Sequence, residues 1–189
     1  MSRFSRGVFF CAIGLGFFAL QFISTKAGEA EATPQVVQLK EFSVMGYKIR
    51  TNNPREATKD GQIAPLWDRV RRDNLLSKIP HRLDANAIVV YSNFDKDASY
   101  DYLIGAKVGK NSPAPQGMVV IEVPAGRFAL FTSEKGPVAK VVIETWQHIL
   151  ALPKSEPGGQ RAYKADFEVY DQRAADPQNS QVDIYIGIR

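Results

Sequence analysis

In the stretch "ADFEVYDQR", Ala165 to Arg173, a carboxylate and a phenol stand two residues apart at Glu168 and Tyr170. Alternate side chains of an extended chain share a face, so Glu168 and Tyr170 point one way while Phe167 and Val169 point the other. Phe167 and Val169 have the character of core. The opposite face is either solvated or the lining of a pocket. In a pocket, Glu168 is a counter-ion for a cation or a general base, with Tyr170 as a wall that can donate a hydrogen bond. Desolvation would raise the pKa of such a carboxylate, and a cationic ligand would lower it again.

Other residues with chemical reach are aromatic. Trp67 and Trp146 lie on apolar faces of helix-like segments, where tryptophan serves as core or borders a cleft. Tyr102 and Tyr185 are candidate walls or ordinary strand residues, and Tyr47 reads as an ordinary strand residue. His81 and His148 show no metal-ligand spacing and have no acidic partner at short range, so they read as surface or cap residues. Gly158-Gly159 lacks the spacing of a phosphate loop. Arg69, Arg71 and Arg72 form a solvated helix face. No cofactor is implied.

These residues need elements to hold them. "VVQLKEFSVMGYKIRT" reads as a strand and "NNPREATKDG" as a loop. "QIAPLWDRVRRDNLL" places Ile63, Leu66, Trp67 and Val70 at helical spacing. "IVVYSNF" and "YDYLIGAKV" read as strands joined by a polar turn. "GMVVIEVPAGRFALFTSE" is a long strand bent at Pro124-Ala125-Gly126, where a donor is missing and glycine relaxes the dihedrals. "GPVAKVVIETWQHILAL" is a helix with Val138, Val141, Val142, Trp146, Ile149 and Leu150 on one face and Pro137 in its first turn. "PKSEPGGQRAYK" is loop, and "ADFEVYD" and "QVDIYIGIR" are the last strands.

The order is strand–helix–strand–strand, twice. Tyr91 and Tyr170 are 79 positions apart, and "YDYLIGAKV" corresponds to "VDIYIGIR" through Asp101/Asp183, Ile104/Ile186 and Gly105/Gly187. Each half has one helical tryptophan. The expectation is an α+β domain with one mostly antiparallel sheet, two helices packed on it and a cleft between them. Where the second half has Glu168, the first has Val89. One apolar wall facing a single carboxylate suits a ligand site.

The amino terminus is a different kind of sequence. Arg3 and Arg6 precede an uncharged apolar run, Gly7 to Ile23, and small residues follow. Residues 1–27 therefore read as a signal peptide cleaved after Ala27, Ala30 or Ala32, with a polar linker at 28–35 and one domain at 36–189. An uncleaved membrane anchor at residues 7–23 is the alternative, but the run falls short of the roughly 20 residues of a spanning helix. The expected location is periplasmic or otherwise secreted. Cys11 lies inside the apolar run, so the mature chain has no disulfide or thiolate site. Residues 1–27 carry Arg3, Arg6 and Lys26 and no acid, so 24 basic residues fall to 21 against 20 acidic ones, a net +1. That balance gives no reason to expect nucleic acid as a partner.

"VPAGRFALFTSEKGPVAKVVIETWQHIL", then "YKADFEVYD", then "VDIYIGI" resemble the GyrI-like small-molecule-binding domain. That domain also serves as the effector-binding part of AraC-type and multidrug-responsive bacterial regulators. The resemblance covers most of the mature chain and is strongest from Val119 to Ile188. It implies a hydrophobic cleft between two helices that binds lipophilic, often cationic, compounds. It places the family glutamate at Glu168, in a Phe-Glu-x-Tyr strand, with Tyr170, Trp146, Trp67, Tyr102 and Tyr185 as candidate walls. The export signal and the short, polar residues 28–60, with no helix-turn-helix, depart from the regulators, so transcriptional control and gyrase inhibition are not expected. The leading expectation is an exported binding protein for a small hydrophobic or cationic ligand. Relatives of this domain that hydrolyse reactive cyclopropane-bearing compounds leave water activation by Glu168 as the alternative, and a protein-interaction module is a third reading.

Overall fold

The computed structural model describes residues 34–153 and 158–189; the expected signal peptide and nearly all of the linker lie outside the described residues. The chain runs β1 (Gln35–Leu39), β2 (Phe42–Asn52), α1 (Asn53–Glu56), α2 (Ile63–Arg72), β3 (Ala87–Ser92), β4 (Ser99–Val108), β5 (Val119–Val123), β6 (Gly126–Thr132), α3 (Val138–Ala151), β7 (Arg161–Tyr170) and β8 (Asp183–Ile188). All eight strands form one antiparallel sheet in the order β1-β6-β8-β7-β3-β4-β2-β5. Among the described residues no helix is long and apolar enough to cross a membrane.

The α+β duplication expected from the sequence is present. Exchanging β1 with β5, β2 with β6, β3 with β7 and β4 with β8 reverses the strand order and leaves it otherwise unchanged. The pseudo-twofold axis therefore passes between β3 and β7, where Val89 pairs directly with Glu168. The residues that differ between the two halves thus face each other on the axis itself.

Two runs read as single strands each divide in two. β1 and β2 are separated only by Lys40 and Glu41, yet β1 pairs with β6 while β2 pairs with β4 and β5. β5 and β6 are separated by Pro124 and Ala125 and also pair near opposite ends of the sheet. Two linking residues reach only about 10 Å, so the ends of the sheet must lie side by side. The sheet is rolled, with Val44, Val90, Leu103, Val123, Phe128 and Phe167 filling its hollow. Phe42 of β2 meets Phe167 of β7 edge to face across that hollow, ring centroids 5.2 Å apart.

The outer face carries the helices. Leu66 and Val70 of α2 pack with Val89, Tyr102 and Ile104, and Ile149 of α3 packs with Ala129, Phe131, Ile184 and Ile186. Gly46 and Gly105 pair across β2 and β4, where a Cβ on either would collide with a carbonyl of the facing strand. Only glycine permits that approach.

Two segments read as loop are structured. Asn53–Glu56 forms a single helical turn. Its buried Glu56 accepts the backbone N–H groups of Gln62 and Ile63 at 3.0 Å and the Thr51 hydroxyl, which completes the open amino end of α2. β7 begins at Arg161 rather than after Lys164, with its register broken between Arg161 and Asp166.

Candidate functional site

Alternation along β7 sends Phe167 into the rolled hollow and Glu168 to the helix-bearing face. There Glu168 is only 1% exposed. Its Oε1 accepts the indole N–H of Trp146 at 2.6 Å and the Tyr91 hydroxyl at 2.7 Å, and its Oε2 accepts the Tyr170 hydroxyl at 2.7 Å. Among the described residues no ion pair reaches it. Burial raises its pKa, against the opposing pull of Trp146, Tyr170 and Tyr91. The Tyr91 phenol is pushed well up, first by burial and then by the neighbouring Glu168 charge, so it remains a donor.

The aromatic walls repeat about the axis. Trp67 of α2 meets Tyr170 with centroids 5.2 Å apart at 60°, and Trp146 of α3 meets Tyr91 at 5.0 Å and 61°. Each pair joins a helix of one half to a strand of the other. The indole N–H groups break the symmetry: Trp146 donates to Glu168, whereas Trp67 donates to the Tyr102 hydroxyl at 2.9 Å. The cleft between the helices has a volume of about 1100 Å³, and its lining includes Ile63, Val138, Val142 and Leu150 together with these aromatic residues.

Five of the six residues singled out in the sequence thus converge: Glu168, Tyr170, Trp146, Trp67 and Tyr102 all line the cleft. Tyr185 does not. It lies on the opposite face, stacked on Phe167 with centroids 4.4 Å apart, because its neighbours Ile184 and Ile186 are the β8 side chains turned toward α3. Val89 is fully buried under α2 with Leu66 and Val70 and is not part of the cleft lining, so it is core rather than an apolar wall of the site. Tyr47 stands apart from the cleft, with the Arg69 guanidinium 5.7 Å from its ring centre. Tyr91 was missed, although its equivalence to Tyr170 in the repeat was visible. Among the described residues no group of three His, Cys, Asp or Glu is placed to hold a metal ion.

A rolled, duplicated sheet with a cleft between two helices is an architecture this chain shares with known effector-binding proteins. Residues 35–188 match the model of Cass2, the integron-associated effector-binding protein family, and the chain belongs to that family. YobU of Bacillus subtilis (strain 168), a candidate transcriptional regulator, is 33% identical over 156 residues, covering 81% of this chain and 94% of YobU. The transcriptional regulator BrlR of Pseudomonas aeruginosa is 32% identical over 157 residues; 82% of this chain is covered but only 54% of BrlR. Two solved structures share the fold. SAV2435 bound to tetraphenylphosphonium superposes with TM-score 0.69 at 19% identity, over 82% of this chain and 93% of that one. The Vibrio cholerae integron cassette protein VCH_CASS2 gives 0.62 at 24% identity, over 84% and 97%.

Proposed function

We propose that this chain is an exported small-molecule-binding protein that holds a lipophilic aromatic cation between α2 and α3, with Glu168 as its acidic contact. One observation carries the reading: a buried carboxylate sits among neutral donors and aromatic rings, and among the described residues no cation pairs with it. Burying such a charge is costly until a counter-charge arrives. A cation resting on indole and phenol rings supplies that charge and gains cation–π attraction. That SAV2435, of the same fold, was solved with tetraphenylphosphonium supports a cation of this kind.

The test is calorimetric titration of a matched aromatic cation and its neutral isostere into the wild type and Glu168→Gln. Glutamine keeps the shape and removes the charge. The cation should lose roughly 1–3 kcal/mol of binding free energy and the neutral isostere much less. Equal losses for the two ligands would defeat the assignment. Mass spectrometry of the recovered ligand should show it unchanged; catalytic conversion would favour hydrolysis.

Export rests on Arg3, Arg6, the Gly7–Ile23 run and the small residues after it. Amino-terminal sequencing of the periplasmic product should begin just after Ala27, Ala30 or Ala32. An intact Met1 in the membrane fraction would overturn export in favour of an anchor.

A further inference from the structure

Glu168 is not the only carboxylate on its face of β7. Asp166, two residues earlier, is fully buried and accepts the Gly187 N–H at 2.9 Å. It differs from Glu168 in having a cation already. The Arg161 side chain folds back along the irregular start of β7 and donates to Asp166 Oδ2 from Nε at 3.0 Å and from its terminal nitrogen. The guanidinium is caged by three rings of the cleft lining: its carbon lies 4.8 Å from the centre of Tyr163, 5.6 Å from Phe94 and 5.8 Å from Trp146. Phe94 and Tyr163 also meet edge to face at 5.8 Å.

The two carboxylates are therefore neighbouring anionic positions on one face of β7: Glu168 lines the cleft, and Asp166 lies beneath Arg161, which lines it too. Trp146 serves both, with its ring near Arg161 and its N–H on Glu168. We propose that Arg161 is a specificity-determining residue: it permanently fills the Asp166 position, so the cleft takes a monocation and rejects a dication. This rests on the reading of the cleft as a site for lipophilic cations. Alternate strand residues are about 7 Å apart. A ligand with two charges at that spacing would set its second charge against the guanidinium, and one with a single charge would not. An aromatic cage and a carboxylate are what such a charge would seek, and the chain supplies its own occupant.

Suitable probes are para-xylylene bis(trimethylammonium), a dication, and the monocation in which carbon replaces one ammonium nitrogen. Their shapes match and only the charge differs. Arg161→Met keeps an apolar stem in the cage but removes the guanidinium charge and leaves Asp166 unbalanced, so the ratio of dication to monocation affinity should rise about tenfold or more over wild type. Asp166→Asn keeps Arg161 while removing its counter-charge, so the same ratio should fall. Calorimetry or tryptophan quenching reads the ratio, and circular dichroism establishes which variants fold. A ratio unmoved in a folded Arg161→Met or a folded Asp166→Asn overturns the proposal. If the ratio is unmoved while Glu168→Gln still weakens the monocation, only the role of Arg161 fails. If Glu168→Gln leaves the monocation unaffected, the cation reading itself fails.

Discussion

Glu168 accepts from one indole and two phenols, and each donor lowers the cost of ionisation without cancelling the desolvation that raises its pKa. A raised carboxyl has a definite linkage sign. Below its ordinary value of about 4.5 the group is neutral in folded and unfolded chains alike and carries no penalty. As pH rises through the raised folded value, the unfolded chain has already ionised, and the stability contributed by this group falls. Cation binding has the opposite slope, because a cation prefers the ionised form. Affinity should therefore rise with pH across that window, and binding inside it should release a proton. Titrations in two buffers of different ionisation enthalpy measure the release. The groups nearest to Glu168 include the Tyr91 and Tyr170 phenols, and the wider cleft lining also carries Glu56, Asp68, Asp95 and Asp171 with Arg71, Lys96 and Arg161. In Glu168→Gln the slope should shrink. An identical slope in wild type and variant would show that Glu168 does not titrate in the cleft.

At the scale of elements, much of this arrangement was legible in the sequence. Period-two alternation in "DFEVY" separated the core face from the polar face of β7 correctly. Helical spacing located α2 and α3 and put Trp67 and Trp146 on faces that border the cleft. The repeat gave the order of elements. What could not be read was pairing. Alternation says which residues share a face, but the long-range register decides which face meets a helix. That is why Tyr185, in the motif-bearing strand β8, fell on the wrong side. Likewise, nothing local in "VVQLKEFSV" says that the chain changes partners at Lys40-Glu41, since both parts are equally good strands. The cage around Arg161 was hidden because glycine and proline before it suggested a loop, while the irregular start of β7 broke the alternation. The Glu56 cap was hidden because its partners are backbone N–H groups, which carry no residue signature.

At the scale of the whole molecule, the duplication divides the sequence more cleanly than it divides the fold. β1 opens the first repeat but borders β6 of the second, and β5 opens the second but borders β2 of the first. The halves exchange their edge strands and also share the β3–β7 seam. The rolled core draws Val44, Val90 and Leu103 from one half and Val123, Phe128 and Phe167 from the other. The cleft is shared in the same way, because Trp67 meets Tyr170 and Tyr91 meets Trp146 across the axis. Residues 34–116 alone would leave β1 without its partner and expose one side of both β2 and β3. Residues 117–189 alone would do the same to β5, β6 and β7. Unpaired strand edges and half a core cannot repay the entropy of ordering the chain. The intact domain should therefore unfold in one cooperative transition, with fluorescence and far-ultraviolet circular dichroism coinciding. Each half expressed separately should lack near-ultraviolet dichroism and cation binding, and mixing the two should restore both. Cooperative unfolding of either half by itself, or two separated transitions in the whole chain, would show that the repeats are independent units and that the cleft is a contact between them.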